Sequence, residues 1–271
     1  MQPIMLVAGV FVLSLALRTM DGAVLRKLSV LGFLTTSFLL GWIFTGSWLV
    51  GVGFVAFWLV WPWYELITRV RKIAMPEEKA LRHKSPPHRE TFPGLEEMTE
   101  EIEGEEYDHL DDLGREWEGS QQFFRVFYKA DERTQVAICL VEQESFAFYY
   151  LRIISRAKDG TIWTTWNYPF SLNLQLAPEW RMNRENGDKT FLQLLDSHRA
   201  FLEKWGISAQ ELAASEPEQL AEQLQSEQRA QIAHNVTAGI LRKAPDGEIR
   251  YTWRGLLFIW LQFLRDFVRL Q

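Results

Sequence analysis

The sequence contains a single cysteine, Cys139, among its 271 residues. One cysteine excludes an internal disulfide framework, and such a chain suits a reducing compartment. The residues around the thiol, from Ala137 to Val141, are apolar. Reactive thiols need an electropositive and accessible setting, so this surrounding favours a buried, inert side chain.

A surplus of basic residues is also missing. The chain has 29 Lys and Arg against 35 Asp and Glu, which gives a net charge of −6. A general nucleic-acid binder neutralises phosphates with Lys and Arg that are concentrated on one face. The charge balance therefore argues against nucleic acid as a partner.

Motifs that carry chemistry are equally scarce. His83, His88 and His109 lack the short, fixed spacings of helix or ribbon metal sites. Asp108, Asp111 and Asp112 lack the regularly spaced oxygen ligands and turn glycine of an EF-hand. His198 falls on the apolar stripe of a predicted helix, without the partners of a catalytic set. We therefore expect no catalytic residue, no metal and no cofactor, and we favour a protein that is not an enzyme.

Long apolar runs are abundant at the N-terminus. Residues 3–17 form one run, and residues 28–67 form a second with a single charge, Glu65. A membrane-spanning helix needs about 20 residues, so the second run predicts two helices with a turn at Gly46 and Ser47. The sequence thus predicts three spans over residues 3–19, 28–45 and 48–67, of which the first is short. The first run lacks a basic n-region and a cleavage motif, which favours an uncleaved anchor over a signal peptide.

The basic residues lie on one side of this three-span arrangement. Arg18, Arg26 and Lys27 separate the first two spans, and six Lys or Arg follow the third within residues 68–84. Because basic loops stay inside, we expect a multi-pass protein of the cell membrane with its N-terminus outside and its soluble domain in the cytoplasm. The residues expected to anchor the third span at the headgroups are Trp61, Trp63, Tyr64, Arg69, Arg71 and Lys72.

Residues 68–120 predict a basic juxtamembrane segment followed by an acidic linker. Twelve of the twenty-three residues from 96 to 118 are Asp or Glu. Such a run cannot bury enough apolar surface to offset its ordering entropy. We therefore expect an extended tether between roughly residues 85 and 118.

Residues 121–271 predict a cytoplasmic α+β domain. Strand patterns at 123–128, 135–141, 146–154 and 161–166, with a possible fifth at 170–176, are joined by short turns, as in an antiparallel meander. Two helices follow, one over 189–205 that is capped by Asp188 and one ending near Gly239, and then a turn at 245–247. The aromatic side chains that could line a ligand cleft, although core packing is their commoner use, are Tyr128, Phe146, Phe148, Tyr150 and Trp163.

The C-terminal helix, residues 253–270, is strongly amphipathic. Its polar residues cover about a third of the circumference at 100° per residue, and the remainder is apolar. We expect it to lie in the headgroups or against the spans, and packing over the sheet is the alternative. The residues expected to contact the membrane or a partner are Trp253, Arg254, Leu257, Trp260, Phe263, Leu264, Arg265 and Phe267.

Together these patterns predict a membrane-anchored α+β protein with about three N-terminal transmembrane helices, a β-meander packed with helices, and a C-terminal amphipathic helix. We expect a non-enzymatic interaction or regulatory protein whose partners are the lipid bilayer and another protein, with self-association left open. The alternatives are a membrane-tethered ligand-sensing domain that uses the aromatic sheet face and, less favoured, an enzyme that acts at the membrane surface.

Overall fold

The structure is a computed structural model that describes residues 2–20, 23–73, 75–76, 81–117, 120–143, 146–185, 187, 189–245 and 247–269. Within these residues the chain has a mixed α+β fold with seven α-helices and two β-sheets. The larger sheet has seven strands and is mainly antiparallel. The α+β fold class and the antiparallel meander that the sequence predicts are therefore confirmed.

Three apolar helices open the chain: α1 (Gln2–Thr19), α2 (Ala23–Thr45) and α3 (Trp48–Thr68). The turn between the last two contains Gly46 at φ 69°, a backbone conformation that glycine adopts without strain, as expected from the sequence. Small residues let the helices approach closely, and the Ser29 hydroxyl donates to the carbonyl of Ser14 at 2.8 Å.

Only two of the three predicted spans are long and apolar enough to cross a membrane by length and composition. These segments are Lys27–Thr45 and Trp48–Lys72, and the second includes a 3-10 turn at Val70–Lys72. The first run forms a shorter apolar helix, Pro3–Thr19. The part of the chain that the structure describes thus has two candidate spans rather than three.

The large sheet is built from seven strands in chain order. After the short β1 (Met75–Pro76), the strands are β2 (Arg82–His83), β3 (Asp108–Trp117), β4 (Ser120–Lys129), β5 (Thr134–Gln143), β6 (Phe146–Arg156), β7 (Ile162–Trp166) and β8 (Trp180–Arg184). Neighbours in the sheet follow the order β2-β3-β4-β5-β6-β7-β8, and only β7 and β8 run parallel. Since side chains alternate between faces along a strand, this meander presents two distinct layers to the rest of the chain.

Helices α4 (Leu95–Gly104) and α5 (Phe191–Lys204) cover one face of the sheet. The main core lies between them and the strands, and it includes Phe127, Ile153 and Phe191, all of which are fully buried. Helix α5 begins at a capping box in which Thr190 and Gln193 exchange hydrogen bonds. The sequence instead predicts Asp188 as the cap, and that residue lies outside the described part of the chain.

The opposite face is covered by α6 (Leu220–Thr237) and by a small second sheet. This sheet pairs β1 with a hairpin of β9 (Leu241–Lys243) and β10 (Glu248–Tyr251), where the sequence predicts a turn. Helix α7 (Trp253–Arg269) follows directly and packs against α2 and α3.

The prediction of an extended acidic tether is wrong for residues 95–117. This stretch forms α4 and the ten-residue strand β3, which pairs with β4 along its whole length. Its carboxylates meet cations from other segments: Asp112 pairs with Arg125, and Glu116 pairs with Lys84. Both cations lie outside the acidic segment in sequence, and the fold brings them beside its carboxylates. The high local density of acidic residues therefore overestimates the charge repulsion within the folded segment.

The predicted fifth strand at 170–176 is also wrong, because these residues form no strand. The backbone N–H of Gln175 donates to the side chain of Asn235, and that of Ala177 donates to the side chain of Gln231. The segment is therefore held by amide side chains of α6. Its alternating Leu172, Leu174 and Leu176 nevertheless share one environment, since all three line the cavity described next.

Candidate ligand-binding cavity

A cavity of about 320 Å³ lies between the second sheet face and helix α6. Its size falls at the lower end of small-molecule binding sites. Its floor comes from β3 to β8, and its roof comes from α6, the 172–176 segment and the β9–β10 hairpin. The cavity therefore sits where the meander, the helical layer and the small sheet meet.

The cavity exists because the central strand carries small side chains. Ala137 and Cys139 point from β5 toward α6, and their partners in β6 are the much larger Arg152 and Tyr150. Cys139 is buried, as its apolar neighbours predict. Burial raises the pKa of its thiol to about 12, so the thiol stays protonated. The small pair leaves space that the neighbouring large side chains enclose.

Two arginines give the cavity a positive character. The Nε of Arg115 donates to Gln122 at 2.6 Å and its Nη1 donates to Gln228, which fixes the guanidinium in the wall. Burial lowers the pKa of Arg115, but an arginine in a protein keeps its proton. Among the described residues the lining has one carboxylate, Glu227, and Arg156 donates to both of its oxygens. The lining therefore carries a net positive charge.

Arg152 is the most informative of these cations. Its guanidinium lies over the ring of Trp180, with 5.0 Å between the guanidinium carbon and the ring centroid. It forms no ion pair within the described residues, and its Nε is buried without a hydrogen-bond partner. Trp166, its cross-strand partner in β7, also has a buried indole N–H that finds no acceptor in the part of the chain that the structure describes. Leaving buried donors unpaired costs about 1–3 kcal/mol each, and more for charged groups.

The aromatic residues singled out from the sequence divide between the two sheet faces. Phe148 and Tyr150 lie on the cavity face, where they contact Tyr168. Tyr128 is on the same face, and its hydroxyl accepts from the backbone N–H of Ser215. Trp163 lies on the opposite face against α5, with its ring 5.3 Å from that of Phe201. The Phe146 side chain lies outside the described part of the chain.

His198, which the sequence places on a buried stripe, is indeed buried on the α5 side of the sheet. One ring nitrogen lies 3.0 Å from the Ser155 hydroxyl and the other lies 2.9 Å from the Thr165 hydroxyl. Burial lowers the pKa of His198 to about 4, so the ring is neutral at physiological pH. An open depression of about 370 Å³ lies beside it, but both ring nitrogens are already engaged.

One wall of the cavity is shared with the packing site of helix α3. Leu174, Ile232, Leu241 and Ile249 line the cavity and also belong to the apolar cluster that surrounds Leu66 of α3. This wall therefore belongs both to the cavity and to the apolar cluster that contains Leu66 of the candidate span.

Helix α7 completes that packing site. The indole N–H of Trp260 donates to the carbonyl of Leu59 at 3.1 Å, and its ring lies 5.8 Å from that of Trp63. The Arg71 guanidinium lies 4.3 Å from the ring centroid of Trp253. These contacts join residues expected to contact the membrane with residues expected to anchor the span.

The remaining residues of those two sets lie mostly at the surface. On α7, Leu264 is half-buried, the Phe267 side chain lies outside the described part of the chain, and the exposed residues are Arg254, Leu257, Phe263 and Arg265. On the α3 side, the exposed residues are Trp61, Tyr64, Arg69 and Lys72. Arg69 pairs with Glu65 at 3.0 Å, so that acid lies at the end of the helix rather than at its centre.

Sequence reasoning missed Arg115 and Arg152. The alternation in β6 contained a usable signal, because Phe148, Tyr150, Arg152 and Ile154 share one face. A charged residue within an otherwise apolar strand face indicates either a buried ion pair or a binding site. To choose between them, one must know whether a carboxylate pairs with Arg152. The nearby carboxylate, Glu227, pairs with Arg156 instead, and the sequence does not show this because Glu227 is distant from both arginines along the chain.

Comparison with known proteins found no matching family model, no matching curated protein and no matching solved structure.

Proposed function

We propose that this chain is a membrane-anchored, non-enzymatic regulatory protein whose cytoplasmic domain binds a small molecule in the cavity above Ala137. Among the alternatives that the sequence leaves open, this is the ligand-sensing one. The observation that carries the proposal is the shared wall, in which four apolar side chains contact both the cavity and the cluster around Leu66. A bound molecule would thereby be coupled to the packing of α3.

The surfaces of the N-terminal helices support membrane anchoring. Only 22% and 11% of the two candidate spans is buried, whereas the core helix of a soluble protein is mostly buried. Large apolar side chains cover the outer faces of all three N-terminal helices, and those that are more than half exposed include Met5, Leu13, Leu31, Phe44, Trp48 and Val60. An exposed apolar surface of this extent is typical of contact with lipid.

Helix α7 supports a position of the domain at the membrane surface. Its exposed face carries Trp253, Leu257 and Leu261, and the same side carries the exposed Arg254 and Arg265. Apolar residues flanked by Arg suit a helix that lies among headgroups. The basic residues around the junction of α1 and α2, and those after α3, favour the cytoplasmic side for this surface in our proposal.

Filling the cavity tests the ligand-binding proposal. We expect the full chain, purified in mild detergent and studied by native mass spectrometry, to retain a small-molecule adduct from its host. Ala137→Leu places three more carbon atoms in the cavity and should abolish the adduct. Ala147→Leu is the matched control, because Ala147 lies on the same sheet but is exposed to solvent. An unmodified mass for the wild-type protein, or an adduct that Ala137→Leu retains, would contradict the proposal.

A further inference from the structure

We infer that the cavity binds an amphiphile with one anionic head group, which pairs with Arg152, and with an apolar chain that extends toward the cluster around Leu66. This inference rests on the proposed function and adds the chemical class of the ligand. Its basis is the arrangement of charge and apolar surface within the cavity.

The charge balance of the lining selects an anion. Glu227 is neutralised by Arg156, while Arg152 faces the cavity without a carboxylate among the described residues. A guanidinium in an apolar setting attracts a carboxylate or phosphate, with which it forms two parallel hydrogen bonds. The Trp180 ring beneath Arg152 holds the guanidinium plane in place, so little side-chain freedom would be lost on binding.

The distribution of apolar residues favours a ligand with an alkyl chain. The end of the cavity that adjoins α3 is lined by Leu174, Ile232, Leu241 and Ile249, without a charged side chain among them. The three leucines at 172, 174 and 176 and Leu224 of α6 extend this aliphatic surface along the roof. An aliphatic wall beside the end of a candidate span suits a molecule that partitions into the bilayer.

The experiment compares three molecules that share a twelve-carbon alkyl chain and differ in their head groups: dodecanoate, dodecyl phosphate and 1-dodecanol. Binding of each radiolabelled compound is measured on the full chain in lipid nanodiscs, after subtraction of empty nanodiscs. We expect the anions to bind roughly tenfold or more tightly than the alcohol, because a hydrogen-bonded charge pair is lost with the alcohol. The tighter of the two anions identifies the head as carboxylate or phosphate.

Variants assign that difference to Arg152. Arg152→Met should weaken binding of the preferred anion by roughly tenfold or more and leave the alcohol unchanged. Arg152→Lys keeps the charge and should restore part of the affinity, which separates a lost cation from a misfolded domain. Arg181→Met is the matched control, because Arg181 lies in β8 beside Trp180 but is exposed and donates to backbone carbonyls.

The outcomes separate this inference from the function on which it rests. Equal binding of the anions and the alcohol, with both abolished by Ala137→Leu, would overturn the anionic head while leaving the cavity as a ligand site. Unchanged binding of all three molecules to Ala137→Leu would overturn the cavity as the site, and the proposed function with it. Loss of anion binding in Arg181→Met as large as in Arg152→Met would also overturn the inference.

Discussion

The ion pair between Asp112 and Arg125 decides whether the acidic segment is a folded part of the sheet. Arg125 donates from Nε and Nη2 to the two carboxylate oxygens of Asp112, at 2.9 and 2.8 Å. The two side chains are only 7% and 13% exposed. Arg125 also donates to Thr99 at 3.1 Å, so the pair joins β3 and β4 to helix α4.

Asp112→Asn removes the charge and leaves the side chain close to its original size. Breaking a buried pair leaves an uncompensated cation and costs about 3–5 kcal/mol. We expect the lower end, about 3 kcal/mol, because Arg125 keeps Thr99 as a partner and both side chains retain some solvent contact. Burial opposes ionisation of Asp112, but the hydrogen bonds from Arg125 and His109 outweigh it and hold the pKa below its ordinary value. The stabilisation is therefore present above the ordinary pKa and is lost as the pH falls through the folded value.

Hydrogen exchange of the full chain measures the effect at the residues concerned. A loss of about 3 kcal/mol should speed exchange of the most protected amides in residues 108–117 by roughly a hundredfold. Asp108→Asn is the matched control, since Asp108 lies in the same strand but is exposed and makes no ion pair among the described residues. It should change exchange by less than about threefold. Fast exchange of these amides in the wild-type chain, or equal effects of the two variants, would show that residues 108–117 are an extended tether rather than a folded strand.

Two further predictions concern the α5 side of the sheet and the N-terminal helices. Because burial lowers the pKa of His198 to about 4, the unfolded chain takes up a proton that the folded chain refuses. Stability should therefore fall by on the order of 3 kcal/mol as the pH drops from about 6.5 toward 4, and His198→Gln should remove this pH dependence from urea unfolding curves. A Cβ at Gly41 would lie 2.9 Å from the Gly51 backbone, whereas one at Gly53 would meet nothing within 4 Å. Gly41→Leu should thus lower the thermal unfolding midpoint in detergent, at a cost of about 1–3 kcal/mol, and Gly53→Leu should not.

The meander was predictable because its determinants are local. Alternating apolar and polar residues with short turns identify the strands within residues 120–166, and the structure places β4 to β7 there. The face that each side chain occupies was harder to predict. Trp163 lies on the opposite face from Tyr150 because the turn between β6 and β7 sets the register, which pairs Trp163 with Ser155.

The acidic segment and the cavity could not be predicted because their determinants are not local. The stability of β3 depends on cations such as Lys84 and Arg125, which only the folded sheet brings together with its carboxylates. The cavity depends on the small size of Ala137 and on a roof contributed by α6, which lies far along the chain. The composition of a short stretch of sequence shows neither the ion pairs of β3 nor the packing of α6 over Ala137, since both arise from tertiary structure.

The orientation of the chain in a membrane is the most direct test, because the proposed position of the cavity beside the cytoplasmic headgroups depends on it. Topology reporters fused after Arg26, Ser47 and Arg89 sample the first turn of α2, the turn between α2 and α3, and the segment that precedes α4. We predict that the Arg26 and Arg89 fusions report the cytoplasm, that the Ser47 fusion reports the outside, and that all three stay in the membrane fraction after alkaline extraction. An Arg89 fusion that reports the outside, or a chain that alkaline extraction releases, would contradict it.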